Sequence, residues 1–399
     1  MKILVVNAGS SSLKYQVIDM TDESCLCSGG VDCIGQQTST IDHKVAGEPE
    51  HIEKHHFENH TQALKVVFSL LTDKNFGVVG SIDEISAVGH RVLHSGEDFD
   101  GSVVITPETL AIMKKNIPLG PLHMPANIAC VESCQSLLPN VPMVAVFDTA
   151  FHMTMPKYAY MYAIPYEDYE QFKVRRYGFH GTSHKYVTGE AIKLMGTEKC
   201  KIINCHLGNG SSISAVKDGK CQDTSMGLTP LEGLMMGTRS GDIDPACLEF
   251  LMDKKGMDIH QMLNYLNKKS GFLGVSGVSS DARAVAKAAE EGNERAQLVQ
   301  EMTSYRIRKY IGAYAAALQG VDCIVFTGGI GENAFAARRR VLEKLDWLGV
   351  KIDWEKNANC PRRQNVEIST ADSKVKVFVI PTNEELVIAR ETKELVIKK

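Results

Sequence analysis

The feature that most constrains this chain is a strand–turn–strand unit that occurs twice. Lys2-Ile3 opens an apolar run that leads to Gly9, Ser11-Ser12 and a second extended stretch, Leu13 to Asp19. Lys201-Ile202 opens another that leads to Gly208, Ser211-Ser212 and a second extended stretch, Ile213 to Lys217. The two copies lie about 200 residues apart, roughly half of the 399-residue chain. A period that long predicts two copies of one domain rather than a solenoid. The length agrees, since single hydrophobic cores stop growing near 250–300 residues.

Further apolar runs follow the same design. Residues 2–6, 86–89, 143–147, 201–205, 322–326 and 375–380 each read as a buried strand. Each is followed by polar or glycine-rich residues: Asn7 to Ser10, His90-Arg91, Asp148-Thr149, His206 to Gly210, Thr327 to Gly329, and Pro381 to Glu384. Helices are expected over 282–292, 294–318, 333–347 and 384–396, and alternation of strand and helix signals an α/β class. Open α/β sheets bind ligands beyond the carboxyl ends of their strands, so six such ends predict one shared cleft.

Bulk chemistry narrows the function. The formal charge is −4, from 44 basic and 48 acidic residues, which argues against a nucleic-acid partner. Eleven cysteines without a C-x-x-C pair favour free thiols over a zinc site or a disulfide framework. The apolar run at the N-terminus is too short for a signal peptide, and no run of about 18 apolar residues could span a membrane. A cytoplasmic protein is expected. The P-loop and the G-x-G-x-x-G fingerprint are both absent.

The turns carry the candidate chemistry. In Asn7 to Lys14, glycine and serine let backbone N–H groups approach an anion, Lys14 adds a point charge, and the Asn7 amide oxygen suits a metal or a water. An ordinary hairpin turn uses the same residues. The second copy, His206 to Ser212, contains Asn209-Gly210, itself a strong hairpin signal. Two such turns facing one cleft could hold two parts of a polyphosphate. A third turn, Thr327 to Ala334, has three glycines between strand and helix and predicts close backbone approach to a ligand. Arg91 at a strand end, Arg239 in a glycine-bracketed loop and His180 are candidate phosphate ligands. Asp148 and Glu384 are candidate carboxylates for Mg²⁺, with Glu385 an adjacent rival to Glu384.

Eight segments in series, among them NAGSSSLK (7–14), GHRVLHSGEDF (89–99), YGFHGTSH (177–184), GTRSGDIDP (237–245) and FTGGIGENA (326–334), resemble the acetate kinase family. The resemblance runs from residue 1 into the last predicted helix. It implies two related ribonuclease-H-like domains, of the actin and sugar kinase type, flanking a nucleotide cleft. Domain I would comprise 1–150 plus 385–399, and domain II, 151–384, would bind nucleotide and form a homodimer. The implied activity is reversible transfer of the ATP γ-phosphoryl to acetate, giving acetyl phosphate and ADP, with Mg²⁺ or alternatively Mn²⁺. Asn7 and Glu384 resemble the magnesium-site residues and Lys14 a phosphate-contacting lysine. Arg91 and Arg239 resemble the arginines that hold carboxylate and phosphoryl, Asp148 the essential aspartate, and His180 the transition-state histidine. His206, Leu207, Gly208, Asn209 and Gly210 resemble a nucleotide-binding segment. So do Asp281, Ala282 and Arg283, and also Gly329, Ile330, Gly331, Glu332 and Asn333. Leu93, Leu122, Phe179 and Pro230 match the small apolar pocket for the substrate methyl. Two departures stand out: Ser95 where the family commonly has glycine, and Leu93 where valine is frequent. A bulkier residue 93 is expected to tighten the pocket against longer acids.

A carboxylate acceptor is already ionised at pH 7, with a pKa of ~4.3, so no general base is required. Direct in-line transfer is expected. Arg91 would hold the carboxylate, Arg239 and His180 would bracket the phosphoryl, and Asp148 would orient metal-bound water or an arginine. Domain closure would exclude water. Propionate or butyrate kinase shares every motif and is the nearest alternative. A heat-shock-type ATP-driven binding module is the alternative of another class.

Overall fold

The computed structural model describes residues 1–398. The chain divides into two compact units, one formed by Met1–Ala150 with the segment from Asn383, the other by Phe151–Thr382. Asn383 and Glu384 therefore belong with the first unit, two residues ahead of the expected boundary. The cause is local: Asn383 accepts a hydrogen bond from Leu386 N (3.1 Å) and so caps the last helix.

The first unit contains β1 (Lys2–Ala8), β2 (Leu13–Asp19), β3 (Ser24–Asp32), β4 (Ser39–Val45), β5 (His51–His55), β6 (Ile85–Val92), β7 (Val103–Val104) and β8 (Met143–Phe147). They form one sheet in the order β5-β4-β3-β2-β1-β6-β8-β7. β1 runs antiparallel to β2 and parallel to β6, and β6 runs parallel to β8. The second unit contains β9 (Lys201–Leu207), β10 (Ser211–Lys217), β11 (Lys220–Thr224), β12 (Cys323–Thr327), β13 (Val366–Glu367) and β14 (Lys376–Val379), in the order β11-β10-β9-β12-β14-β13. β9 runs antiparallel to β10 and parallel to β12, and β12 runs parallel to β14. Strand for strand, β3-β2-β1-β6-β8-β7 matches β11-β10-β9-β12-β14-β13. This is the ribonuclease-H-like order in both units, and it bears out the duplication read from the two turns.

Side chains alternate between the two faces of each strand. In the first unit Leu4, Val6, Val88 and Val92 join the core beneath the helices His60–Leu71 and Met124–Leu137. Residues of the opposite parity face the helix Glu384–Ile397, which packs across β1, β6 and β8. Gly89 makes that approach feasible: a Cβ there would lie 2.4 Å from Thr392 Oγ1 and 2.7 Å from Ile388 Cγ2. In the second unit Ile203, Cys205 and Leu207 pack with the helix Glu294–Ala317, while Ile202 and Val216 pack with the helix Gly181–Met195.

Two expected elements differ. β6 extends through His90 and Arg91, so Arg91 lies within the strand rather than after it, because β1 and β8 pair with it on both sides. The third glycine turn is itself helical, Gly328–Asn333, and Ala334 (φ −99°, ψ 78°) separates it from Phe335–Leu342, so the expected helix 333–347 is interrupted. Among the described residues no helix is long and apolar enough to cross a membrane.

Candidate active site

Sheet register assembles the first unit's polar group. Asn7 pairs with Lys14 across β1–β2 and with Arg91 across β1–β6, so the three residues form one row over three strands. Asp148 follows directly on β8 and accepts from Arg91 through both oxygens, Nε–Oδ1 at 2.9 Å and Nη2–Oδ2 at 2.5 Å. Arg91 Nη1 also donates to Asn7 Oδ1 (3.2 Å). Asp148 is 1 % exposed, whereas the Arg91 side chain keeps 27 % exposure. Burial works against the guanidinium charge, but the charge and hydrogen bonds of Asp148 outweigh it, with Glu384 and Glu385 adding, so Arg91 is held above its ordinary pKa. Lys14 is exposed and makes no ion pair among the described residues.

Glu384 and Glu385 begin the last helix, where the macrodipole favours acids. Burial pushes the Glu385 carboxyl up and Glu384 adds repulsion, while Arg91 and Lys14 pull it down. Glu385, Asn7 and Lys14 line a common cavity. Hard oxygen donors beside a surplus of carboxylate charge suit a divalent cation such as Mg²⁺.

The loops around this row are braced from behind. Asn127 donates from Nδ2 to Ala8 O (2.7 Å) and accepts from Leu93 N (3.0 Å), joining the first turn to the segment after Arg91. Ser95, one of the two departures, exchanges a hydrogen bond with Thr149 Oγ1 (2.8 Å), next to Asp148. Asn127 carries no sequence signal of its own, since only the fold brings it to both loops.

In the second unit His180 has a left-handed backbone (φ 58°, ψ 25°) at the start of the helix Gly181–Met195. Its ring stacks on His206, centroids 4.3 Å apart. His180 Nδ1 meets Ser212 Oγ at 2.9 Å, and the same hydroxyl meets His184 Nε2 at 2.7 Å. His184 Nδ1 reaches Ser214 Oγ at 2.9 Å. Burial, and then the neighbouring His152 and His206, push His184 well below its ordinary pKa, so it is neutral and holds one proton. The chain of hydroxyls and imidazoles thereby constrains the His180 tautomer and leaves Nε2 directed at Gly210. A Cβ on Gly210 would stand 3.2 Å from His180 Nε2 and 3.7 Å from Arg239 Nη1. His180 and Arg239 thus meet at the second glycine turn. Gly237 N donates to Asn209 O (3.0 Å), which docks the arginine loop on that turn. Arg239 donates to Pro230 O (3.0 Å) and has no carboxylate partner among the described residues. Burial draws its pKa down, yet a guanidinium stays charged. Ser212 and His184 sit inside segments quoted above, but only the β10–helix packing reveals that they orient His180.

The nucleotide candidates converge on the same unit. Asp281 caps the helix Ala282–Glu290 through Arg283 N (2.8 Å) and pairs with the Arg283 guanidinium (2.6 Å). Ala282 and Ile330 both line an apolar cavity of about 90 Å³, together with Leu207, Phe272 and Val285. Glu332 is engaged internally, accepting from Gly328 N (2.9 Å) and Thr382 N (3.1 Å). Asn333 Nδ2 donates to Gly329 O (3.0 Å).

The four residues expected at the methyl pocket divide between the units, Leu93 and Leu122 in the first and Phe179 and Pro230 in the second. Phe179 is buried, at 1 % exposure. Leu122 is 66 % exposed, because it lies in the turn leading to Met124–Leu137. Leu93 and Pro230 are half-buried.

Two ribonuclease-H-like units, one carrying an arginine–aspartate pair beside acids and the other a histidine–arginine pair on a glycine turn, define a phosphotransferase of α/β class. The model of the Acetokinase family matches residues 2–390, and the chain belongs to that family, phosphotransferases with a carboxyl acceptor. It is 56 % identical to an acetate kinase of Syntrophomonas wolfei, covering 98 % of this chain and 99 % of that protein. An acetate kinase of Acetivibrio thermocellus is also 56 % identical, over 99 % of both chains. Among solved structures, Porphyromonas gingivalis acetate kinase superposes with a TM-score of 0.95 at 47 % identity, over 99 % of each chain. A propionate kinase from Francisella tularensis gives 0.93 at 42 % identity, again over 99 % of each chain.

Proposed function

We propose that the chain is an acetate kinase, transferring the ATP γ-phosphoryl reversibly to acetate by direct in-line attack of the carboxylate. One observation carries the mechanism: both oxygens of Asp148 accept from Arg91. An aspartate so occupied is an arginine-positioning group, not a base waiting for a proton. That suits an acceptor that arrives ionised and does not suit a sugar hydroxyl.

Arg91, held in its orientation by Asp148 and Asn7, binds the acetate carboxylate. Leu93, Leu122, Phe179 and Pro230 contact the methyl group and Lys14 contributes charge. Arg239, lacking an internal carboxylate, takes the transferring phosphoryl together with His180. His206 to Gly210 supports the phosphates. The cavity lined by Ala282 and Ile330 takes the nucleobase, with Asp281, Arg283 and Gly329 to Asn333 at its rim. Asn7 and Glu384 would hold Mg²⁺, which supplies charge neutralisation for the phosphates when bound. The same reading includes a cytoplasmic homodimer formed through the second unit.

The likeness to a propionate kinase supports longer acids as a second reading. Hydroxamate trapping with acetate, propionate and butyrate separates the two. Acetate is expected to show the highest kcat/KM, and equal use of propionate would replace it as the acceptor. With chiral γ-phosphorus, inversion is expected, and retention would point to a phosphoenzyme.

A further inference from the structure

Directly behind Arg91 lies a cluster that phosphoryl transfer does not use. Cys130 and Cys134 stand one turn apart on the helix Met124–Leu137 and so share a face. His90 has the strand parity of Val88 and Val92 and points at that face from β6. One ligand atom from each of the three residues lies within 4.8 Å of the others. All three are buried, at 2 %, 1 % and 0 % exposure respectively for His90, Cys130 and Cys134. His90 Nε2 makes no hydrogen bond, an unusual condition for a buried imidazole nitrogen.

We propose that His90, Cys130 and Cys134 form a buried site for a thiophilic d¹⁰ cation, Zn²⁺ or Cu⁺. One imidazole and two sulfurs are a soft donor set of the kind that selects these ions over Mg²⁺. Ligands bonded at ~2.0–2.3 Å stand roughly 3.5–3.8 Å apart, so closure asks for side-chain movements below about 1 Å. The chemistry balances simply: two thiols give up two protons to solvent and form two metal–sulfur bonds, while a ring nitrogen of His90 contributes a lone pair. The bound ion ties Met124–Leu137 to β6. That helix also carries Asn127, which braces Ala8 and Leu93, so the clamp rigidifies the support of the Arg91 row. The C-x-x-x-C spacing on a helix was the available sequence signal, but its histidine partner comes from a distant strand.

The test uses the full chain, stripped by chelator under reductant, then given one equivalent of Zn²⁺ or, without oxygen, of Cu⁺. After dialysis, one ion per chain is expected in the natural protein and in Cys25→Ser/Cys33→Ser, which lacks the two exposed thiols. None is expected in Cys130→Ala/Cys134→Ala. A zinc- or copper-dependent rise in Tm should follow the same pattern. Co²⁺ should give a thiolate charge-transfer band in the natural protein and in the Cys25/Cys33 variant. Equal retention by the natural protein and the Cys130/Cys134 variant would overturn the site. If that variant does not fold, absence of the Co²⁺ band from the intact protein overturns it equally.

Discussion

The two units begin from the same three strands and solve the anion problem differently. After β1 the first unit builds with formal charge: Lys14 and Arg91 flank Asn7, with Asp148, Glu384 and Glu385 around them. After β9 the second unit uses near-neutral groups: stacked His180 and His206, the Ser212–His184 relay, and the single guanidinium of Arg239. In the first unit the arginine is balanced by an internal carboxylate, and in the second it is not. A balanced arginine is a fixed fork for a small carboxylate. An unbalanced, half-buried one gains most from charge that develops on a ligand, because no carboxylate among the described residues neutralises it beforehand.

The largest expected effect tests that difference. Arg239→Ala should lower kcat by ~10²–10³ with little change in the KM for acetate. A change confined to KM would erase the distinction between the arginines. Ser212→Ala should have a smaller effect, about 3- to 10-fold in kcat, corresponding to one hydrogen bond. Because Ser212 acts through His180, the pH profile of kcat should move as well, and Ser212→Thr should restore it. An unchanged profile would leave Ser212 as packing. The smallest effect concerns the acids of the first unit. Burial raises the Glu385 pKa above 4.5, so the folded state disfavours its ionised form, and stability falls as pH rises through and above that value. Glu385→Gln should therefore raise Tm at pH 7 without metal and give no gain below pH 4.5. Glu384→Gln, in contrast, should abolish the Mg²⁺-dependent rise in Tm. Identical behaviour of the two variants would merge their roles.

Much of this arrangement was legible in the sequence because it rests on local pattern. Apolar runs of four to six residues located the central strands, and the two Gly/Ser turns disclosed the duplication that sheet order then displays. Asn7, Lys14 and Arg91 fall into one row because each lies near a strand's carboxyl end or its hairpin partner. What escaped depends on packing. Asn127, Ser212 and His184 acquire meaning only from partners on other elements. Asp148 could have faced metal-bound water or an arginine, and its position beside β6 directs both oxygens to Arg91.

The helix that covers Gly89 has a consequence for biosynthesis. The second unit is one continuous stretch, Phe151–Thr382, whereas the first needs residues from Asn383 onward. On the ribosome residues 1–150 emerge first, yet the apolar face that receives Leu386 to Ala389 stays bare until the segment from Asn383 has been made. The nascent chain must therefore shelter an open β-sheet face while the later-made unit is synthesised, and only emergence of the helix Glu384–Ile397 seals the part that was made first.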